Sequence, residues 1–141
     1  LDGHAIAATV KELMMAIKRE PCDVWFSKAV RLRDGRCMSC GYTERLEAAH
    51  IYGRRNKRLR WAMWNCCALC HGCHRHYTES PVQFFDWLRE TYGEERLDWL
   101  RKANNEIYKT TKELRKEIAA HYRDEVRRKE ADPCYVIQSW N

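Results

Sequence analysis

Two C-x2-C pairs, Cys37 with Cys40 and Cys70 with Cys73, constrain this chain more than any other feature. Each pair sits in a turn-like stretch, CMSCG and CHGCH, and the two are separated by short apolar runs and a basic loop. Two sulfurs brought from each side can converge on one tetrahedral ion, the arrangement of a structural zinc site. For a small domain with few strands, such a site supplies on the order of 10 kcal/mol to folding. Spacing alone leaves the second pair open, because Cys67-x2-Cys70 also fits, although Gly72 would ease a bend between Cys70 and Cys73. The remaining cysteines, Cys22, Cys66, Cys67 and Cys134, read as buried thiols. A redox C-x-x-C would need a surrounding βαβ pattern that is missing. Close pairing and the lack of a secretory signal favour thiolates on zinc in a reducing cytoplasm over a disulfide framework.

A chain of 141 residues suits one compact domain with an appendage. It contains no run of about 18 apolar residues that would span a membrane. HAIAATVKELMMAIKRE is cut by Lys11 and Glu12 and reads as an amphipathic helix rather than a signal peptide. Its stripe is Ile6, Val10, Leu13, Met14 and Ile17, closed by Pro21. Because the chain opens on Leu1 and not on methionine, its natural start is expected further upstream.

Asp23 is then expected to cap a second helix, VWFSKAVRLRD, which buries Trp25, Phe26, Ala29 and Val30 and stops at Gly35. LEAAHIY and NCCAL read as two short strands. Past the second cysteine pair, Ser80, Pro81 and Gln83 mark the start of the helix PVQFFDWLRETY, which Gly93 stops. Leu97, Leu100, Ile107, Leu114, Ile118, Tyr122 and Val126 continue a helical stripe with a break near Asn104 and Asn105. That stripe can serve a second copy or the domain's own core. The tail, CYVIQSWN, is expected to fold back as a strand.

Net charge is +6 but unevenly placed. GRRNKRLRW carries Arg54, Arg55, Lys57, Arg58 and Arg60 with no acid among them. Such a loop attracts polyanions, of which nucleic acid is the commonest, and phosphate contacts of this kind position a backbone without reading its sequence.

The order of His50 after the first cysteine pair, Asn65 ahead of the second and His74 directly after it resembles the HNH, or ββα-metal, nuclease family. The resemblance rests on CMSC, LEAAHI and NCCALCHGCH, roughly residues 37–77, and the five-residue step from Asn65 to Cys70 selects Cys70 with Cys73 as the second zinc pair. It implies His50 as the general base, His74 as ligand of a catalytic Mg2+ or Mn2+, and Asn65 as the residue that fixes the loop orienting the base. An imidazole suits the base because it is near neutral at working pH. Many family members carry Asp or His just before the base, as a second metal ligand; here that residue is Ala49. Glu47 and His76 are the candidates to replace it. His71 is expected in solvent and His121 on a helix surface.

A second resemblance, on FSKAVRLRDGRCMSCG, LEAAHIYGRR and the helical C-terminal portion, is to phage recombination nucleases of the Rap/NinG type. The zinc-plus-HNH layout is also similar to phage endonuclease VII resolvases. These imply branched DNA such as Holliday junctions and D-loops as partner, action as a homodimer, and a place in the cytoplasm of a bacterial or phage-infected host cell.

The expected fold is α+β and mostly helical, with a zinc-stapled, treble-clef-like ββα-metal core, N-terminal helices and a long helical C-terminal extension. Its divisions are residues 1–22 for the N-terminal helix, 23–93 for the nuclease core, 94–131 for the extension and 132–141 for the tail. The alternative function is a non-catalytic zinc module that binds nucleic acid.

Overall fold

The computed structural model describes residues 18–141. The amphipathic stripe from Ile6 to Ile17, and His4, lie outside the described residues. Five helices and one two-stranded sheet follow in the order α1 (Pro21–Asp34), β1 (Leu46–His50), a short 3-10 turn (Met63–Asn65), β2 (Cys66–Cys70), α2 (His71–Glu79), α3 (Pro81–Tyr92), α4 (Glu94–Asn104) and α5 (Lys112–Ala131). The architecture is α+β and mostly helical, as the sequence implies. No described helix is long and apolar enough to cross a membrane.

The chemistry of the helix ends explains where they fall, and corrects two expectations. Pro21 opens α1, because its missing N–H costs nothing in the first turn. Glu20, not Asp23, is the capping residue: Asp23 sits three residues in and accepts from the Glu20 N–H at 2.8 Å. Gly35, at φ 69°, ends the helix in the left-handed conformation that a side chain would resist. Ser80 does precede α3, but its hydroxyl makes no capping bond.

β1 and β2 pair antiparallel, Leu46 opposite Cys70 and His50 opposite Cys66. The hairpin is buried on both sides. Ala49, Cys67 and Leu69 face a core completed by Phe84, Leu88, Leu97 and Leu100 of α3 and α4. Cys66 and Ala48 face a second core made with Phe26 and Val30 of α1 and Ile118, Tyr122 and Val126 of α5. This alternation is the period-2 rule of a strand applied twice, and it is why β2 reads as an unbroken apolar run.

The outer edge of β2 is covered by side chains. The Ala68 N–H donates to Asp34 at 2.7 Å, its carbonyl accepts from Met38 N–H, and Arg33 donates to the carbonyls of Met63 and Cys66 at 2.7 and 2.6 Å. Those bonds satisfy an edge that would otherwise invite another strand.

The helical stripe does break after Asn104, and Ile107 lies exposed in the connection. Its α5 members are packed against α1, so they are spent on the domain's own core rather than left for a second copy. The tail folds back without becoming a strand. Ile137 is buried, Trp140 N–H donates to the Tyr122 hydroxyl, that hydroxyl donates to the Trp61 carbonyl, and buried Glu125 accepts from Tyr135 and from the Gln138 N–H.

Candidate active site

The thiols of Cys37, Cys40, Cys70 and Cys73 lie within 4.8 Å of one another. Cys40 and Cys70 sulfurs are 3.7 Å apart; Zn–S bonds of about 2.3 Å set tetrahedral edges of about 3.8 Å, so the cluster fits a zinc ion without rearrangement. Each pair is a turn in which the second cysteine's N–H points at the first one's sulfur, Cys40 to Cys37 at 3.5 Å and Cys73 to Cys70 at 3.4 Å. Burial opposes ionisation of Cys37, but surrounding main-chain N–H groups bring it down to about 7. Burial, and then the neighbouring thiols, push Cys73 up to about 12. A divalent cation relieves that conflict by holding all four as thiolates.

Gly41, at φ 82°, does supply a left-handed turn in the first pair. Gly72 does not: its φ is not positive, and the second pair is instead the first turn of α2, where the Cys70 sulfur acts as the N-cap. The pairing of Cys70 with Cys73 thus rests on a helix start rather than on a glycine bend.

The turn that carries Cys70 and Cys73 leads into α2, which lies against β1, and a cleft of about 430 Å³ opens beside them. His50 and Glu47 of β1, His74 of α2 and Arg54 of the basic loop line it. The opposite wall is Arg19 with Asp23, Ser27 and Arg31 of α1. Sequence reasoning missed that wall, although its signal is present: Asp23, Ser27 and Arg31 recur at i, i+4 and i+8, a polar stripe on a helix otherwise committed to the core.

His50 is half-buried, and its Nε2 lies 2.9 Å from the Arg60 carbonyl. A carbonyl only accepts, so Nε2 carries the proton and Nδ1 is left with the lone pair. Burial, aided by the charge of Arg54, holds the ring well below the ordinary histidine range, at about 4 despite the hydrogen bond to Arg60. The ring is therefore neutral at physiological pH.

Arg60 is itself fixed. Its guanidinium donates from Nε to Asp23 Oδ1 at 2.9 Å and from Nη2 to Oδ2 at 2.6 Å, and Asp23 also accepts from Trp61 Nε1 and Arg54. Burial would raise the Asp23 carboxyl, but the Arg60 hydrogen bonds outweigh it and hold it below the usual range. Arg60 is 6% exposed, so it is withdrawn from the surface that the sequence assigned to it.

The other loop cations divide. Arg54 lines the cleft, while Arg55 and Lys57 are exposed. Arg58 turns to the far side, 2.7 Å from Glu106 and stacked over Trp99.

Asn65 is fully buried at the base of this loop. Its amide donates to the Tyr52 and Leu59 carbonyls at 2.9 and 3.1 Å, and its Oδ1 accepts from the Tyr52 N–H at 2.9 Å. All three bonds tie Tyr52 and Leu59 of the loop that carries Arg54 to the turn that leads into β2.

Glu47 is held between two imidazoles, accepting from His74 Nδ1 at 2.8 Å and from His71 Nδ1 at 3.1 Å. Burial raises its carboxyl, and the two histidine bonds more than reverse that. Since Nδ1 of His74 donates, Nε2 is the nitrogen left to face a cation, and a carboxylate on the other ring nitrogen is the usual partner of a metal-bound histidine. His71 is exposed as expected, yet bonded. His76 is exposed against Tyr77 and does not line the cleft, and His121 meets the Gln138 carbonyl rather than open solvent. Ala49 is 1% exposed within the α3–α4 core, so a ligand at that position would be buried among apolar side chains.

With this geometry in hand, the family model for the bacteriophage lambda NinG protein matches residues 9–132. The chain belongs to the NinG family. The match spans both cysteine pairs, the cleft and α5, so the NinG-family unit includes the C-terminal helices and not the hairpin alone. No curated protein and no solved structure matches this NinG-family chain.

Proposed function

We propose that this NinG-family protein is a metal-dependent DNA endonuclease of the HNH, ββα-metal type, acting on branched intermediates of phage recombination. The observation that carries the reading is the shared cleft: a histidine with its proton locked on Nε2 and a carboxylate-held histidine open onto one space walled by arginines. Hydrolysis of a phosphodiester needs a base for the attacking water and positive charge beside the scissile phosphate.

In this reading His50 Nδ1 takes the proton from water, and Asp23, through Arg60, keeps the ring turned to do so. Nε2 of His74 would hold the catalytic Mg2+ or Mn2+, with Glu47 orienting the imidazole rather than serving as a second ligand. Such a cation, when bound, polarises the phosphate and offsets charge on the leaving oxygen. Arg19, Arg31 and Arg54 position the backbone on either side, and zinc at the four thiols would hold the Cys37–Cys40 turn to the junction of β2 with α2. Asn65 sets the loop. A symmetric junction cut needs two active sites, so on that substrate two copies act together through a surface other than the α5 stripe.

The deciding experiment offers linear duplex, nicked, flap and four-way DNA side by side, with Mg2+ or Mn2+. Metal-dependent cutting of the branched substrates that disappears in His50→Ala, with DNA binding retained, supports the reading. If wild-type protein with full zinc content cuts none of them, it is a zinc module that binds nucleic acid, and the nuclease reading fails.

A further inference from the structure

A second basic groove lies on the other side of α1 from the cleft. It has a volume of about 430 Å³ and runs between the start of α1 and the first three turns of α5. Lys112, Arg115, Lys116 and Arg123 line it together with Ala119 and Trp25. Trp25 is half-buried against the second core with Lys28 5.7 Å from its ring, so that one face of the indole is left for the groove. Glu20 is the one acid that lines it, and it is already paired with Arg115 at 3.0 Å. Lys112 and Lys116 are exposed and have no acidic partner among the described residues. Arg123 is 3.7 Å from Asp124, and its Nε is buried without a hydrogen-bond partner. None of this is needed by the cleft chemistry.

Two lysines without an acidic partner, flanked by Arg115 beside Glu20 and Arg123 beside Asp124, leave a groove that calls for a polyanion. Its apolar lining argues against a duplex, whose outer surface is sugar and phosphate and would leave an indole and an alanine methyl unmatched. A single strand satisfies both features, since its phosphates can follow the cations while an unstacked base lies on the tryptophan. The groove and the cleft share α1 as a common wall, the Ser27 and Arg31 side facing one and the Trp25 side the other. A helix with its side chains is about 10 Å across, so a strand leaving the cleft reaches the groove within a few nucleotides.

We propose that the α1–α5 groove binds single-stranded nucleic acid, and so selects substrates in which a single strand emerges beside the cut. This rests on the nuclease reading for its biological sense but not for its test, which is a binding measurement made in EDTA with the zinc-loaded protein. The probes are a fluorescein-labelled oligo(dT) of about 15 nucleotides, within the usual span of such sites, a labelled duplex of the same length, and a labelled Asp-rich peptide ending in Phe.

Lys112→Glu with Lys116→Glu, both on the exposed side of α5, should weaken oligo(dT) binding by tenfold or more while duplex binding changes less than twofold. A milder pair, Lys112→Gln with Lys116→Gln, should lower the slope of log K against log salt by about 1.4, at roughly 0.7 for each single-strand phosphate contact. Trp25→Phe should retain oligo(dT) binding, and Trp25→Leu should lose it at unchanged zinc content.

Unchanged oligo(dT) affinity in the charge-reversed variant overturns the proposal, as does an equal loss of duplex binding. Peptide binding that depends on the two lysines, without oligo(dT) binding, assigns the groove to an acidic protein partner and overturns it too. A protein that binds oligo(dT) here but never cuts DNA sinks the nuclease reading alone; one that cuts branched DNA with the groove silent sinks this inference alone.

Discussion

His50 donates through Nε2 to the main-chain carbonyl of Arg60 at 2.9 Å, and that single bond decides which nitrogen of the ring is free. The carbonyl belongs to a residue whose side chain is clamped by Asp23 from a different element, α1. Histidine, loop and helix therefore form one unit, although Asp23 and His50 are 27 residues apart in the chain.

Breaking the clamp should disturb the base without touching it. Asp23→Asn removes the charge but keeps the shape, and kcat on branched DNA should fall about tenfold or more with KM little changed, as expected when only the transition state loses an interaction. In 15N spectra His50 should become a mixture of tautomers. A wild-type tautomer pattern in Asp23→Asn would show that Asp23 only supports the fold. Asp23→Ala leaves the buried Arg60 with only Glu20, at 3.5 Å, and the Lys18 carbonyl, and should cost about 3 kcal/mol of stability in urea titration.

Removing the base itself should be far costlier to chemistry than to folding. His50→Ala is expected to lower kcat by about 10²–10⁴-fold with DNA affinity within a factor of two, measured by single-turnover cleavage beside anisotropy. Loss of binding in parallel would instead make His50 part of the DNA surface.

The depressed His50 value has a definite consequence for stability. The native ring, at about 4, stays neutral where an unfolded histidine, at the ordinary 6.5, takes up a proton. The unfolded state then binds more protons across that interval, so stability is fully present above pH 6.5 and falls as pH drops towards 4. The loss should reach about 3 kcal/mol at most. His50→Gln should flatten the difference over this window, because its amide does not titrate; identical pH profiles for variant and wild type would contradict the burial of the ring. The lowered Asp23 carboxyl acts at more acid pH: its contribution is present above the ordinary Asp range and disappears as pH falls through its native value.

Zinc should prove structural and inseparable from the cleft. Chelation, or Cys70→Ser, removes the tie between the Cys37–Cys40 turn and the junction of β2 with α2, so thermal unfolding should lose its cooperative transition and DNA cleavage should fail even with excess Mg2+. Restoring zinc to the chelated wild type should recover both. Full cooperativity at zero zinc content would show that the four thiols are held by the fold alone.

The cation split within the basic loop gives a sharper contrast. Arg54→Gln and Arg31→Gln, both at the cleft, should each weaken DNA binding and reduce its salt slope by about 0.7–0.9, one phosphate contact apiece. Arg58→Gln should leave the slope unchanged and lose only its contact with Glu106 and Trp99. A slope that fell equally for all three would put the DNA on a wider face than the cleft.

Much of this protein is set by local chemistry that a linear reading can follow. C-x2-C spacing brings two sulfurs into one turn whatever the surroundings, short apolar runs bounded by turns mark Leu46–His50 and Cys66–Cys70 as strands, and Gly35 and Gly93 end helices because they relieve backbone constraints on the spot. What spacing could not supply is which long-range partners meet. Arg60 sits in a basic run and looks like a DNA contact, yet it is buried because Asp23, on α1, offers two carboxylate oxygens to its guanidinium. Glu47 looks like a free ligand, and two histidines from α2 claim it. The wall of Ser27 and Arg31 becomes part of a cleft only when α1 packs beside the hairpin. Backbone preferences act within a few residues and are written in order along the chain. Charge pairing and burial act through space, and only the folded chain decides which residues that space contains.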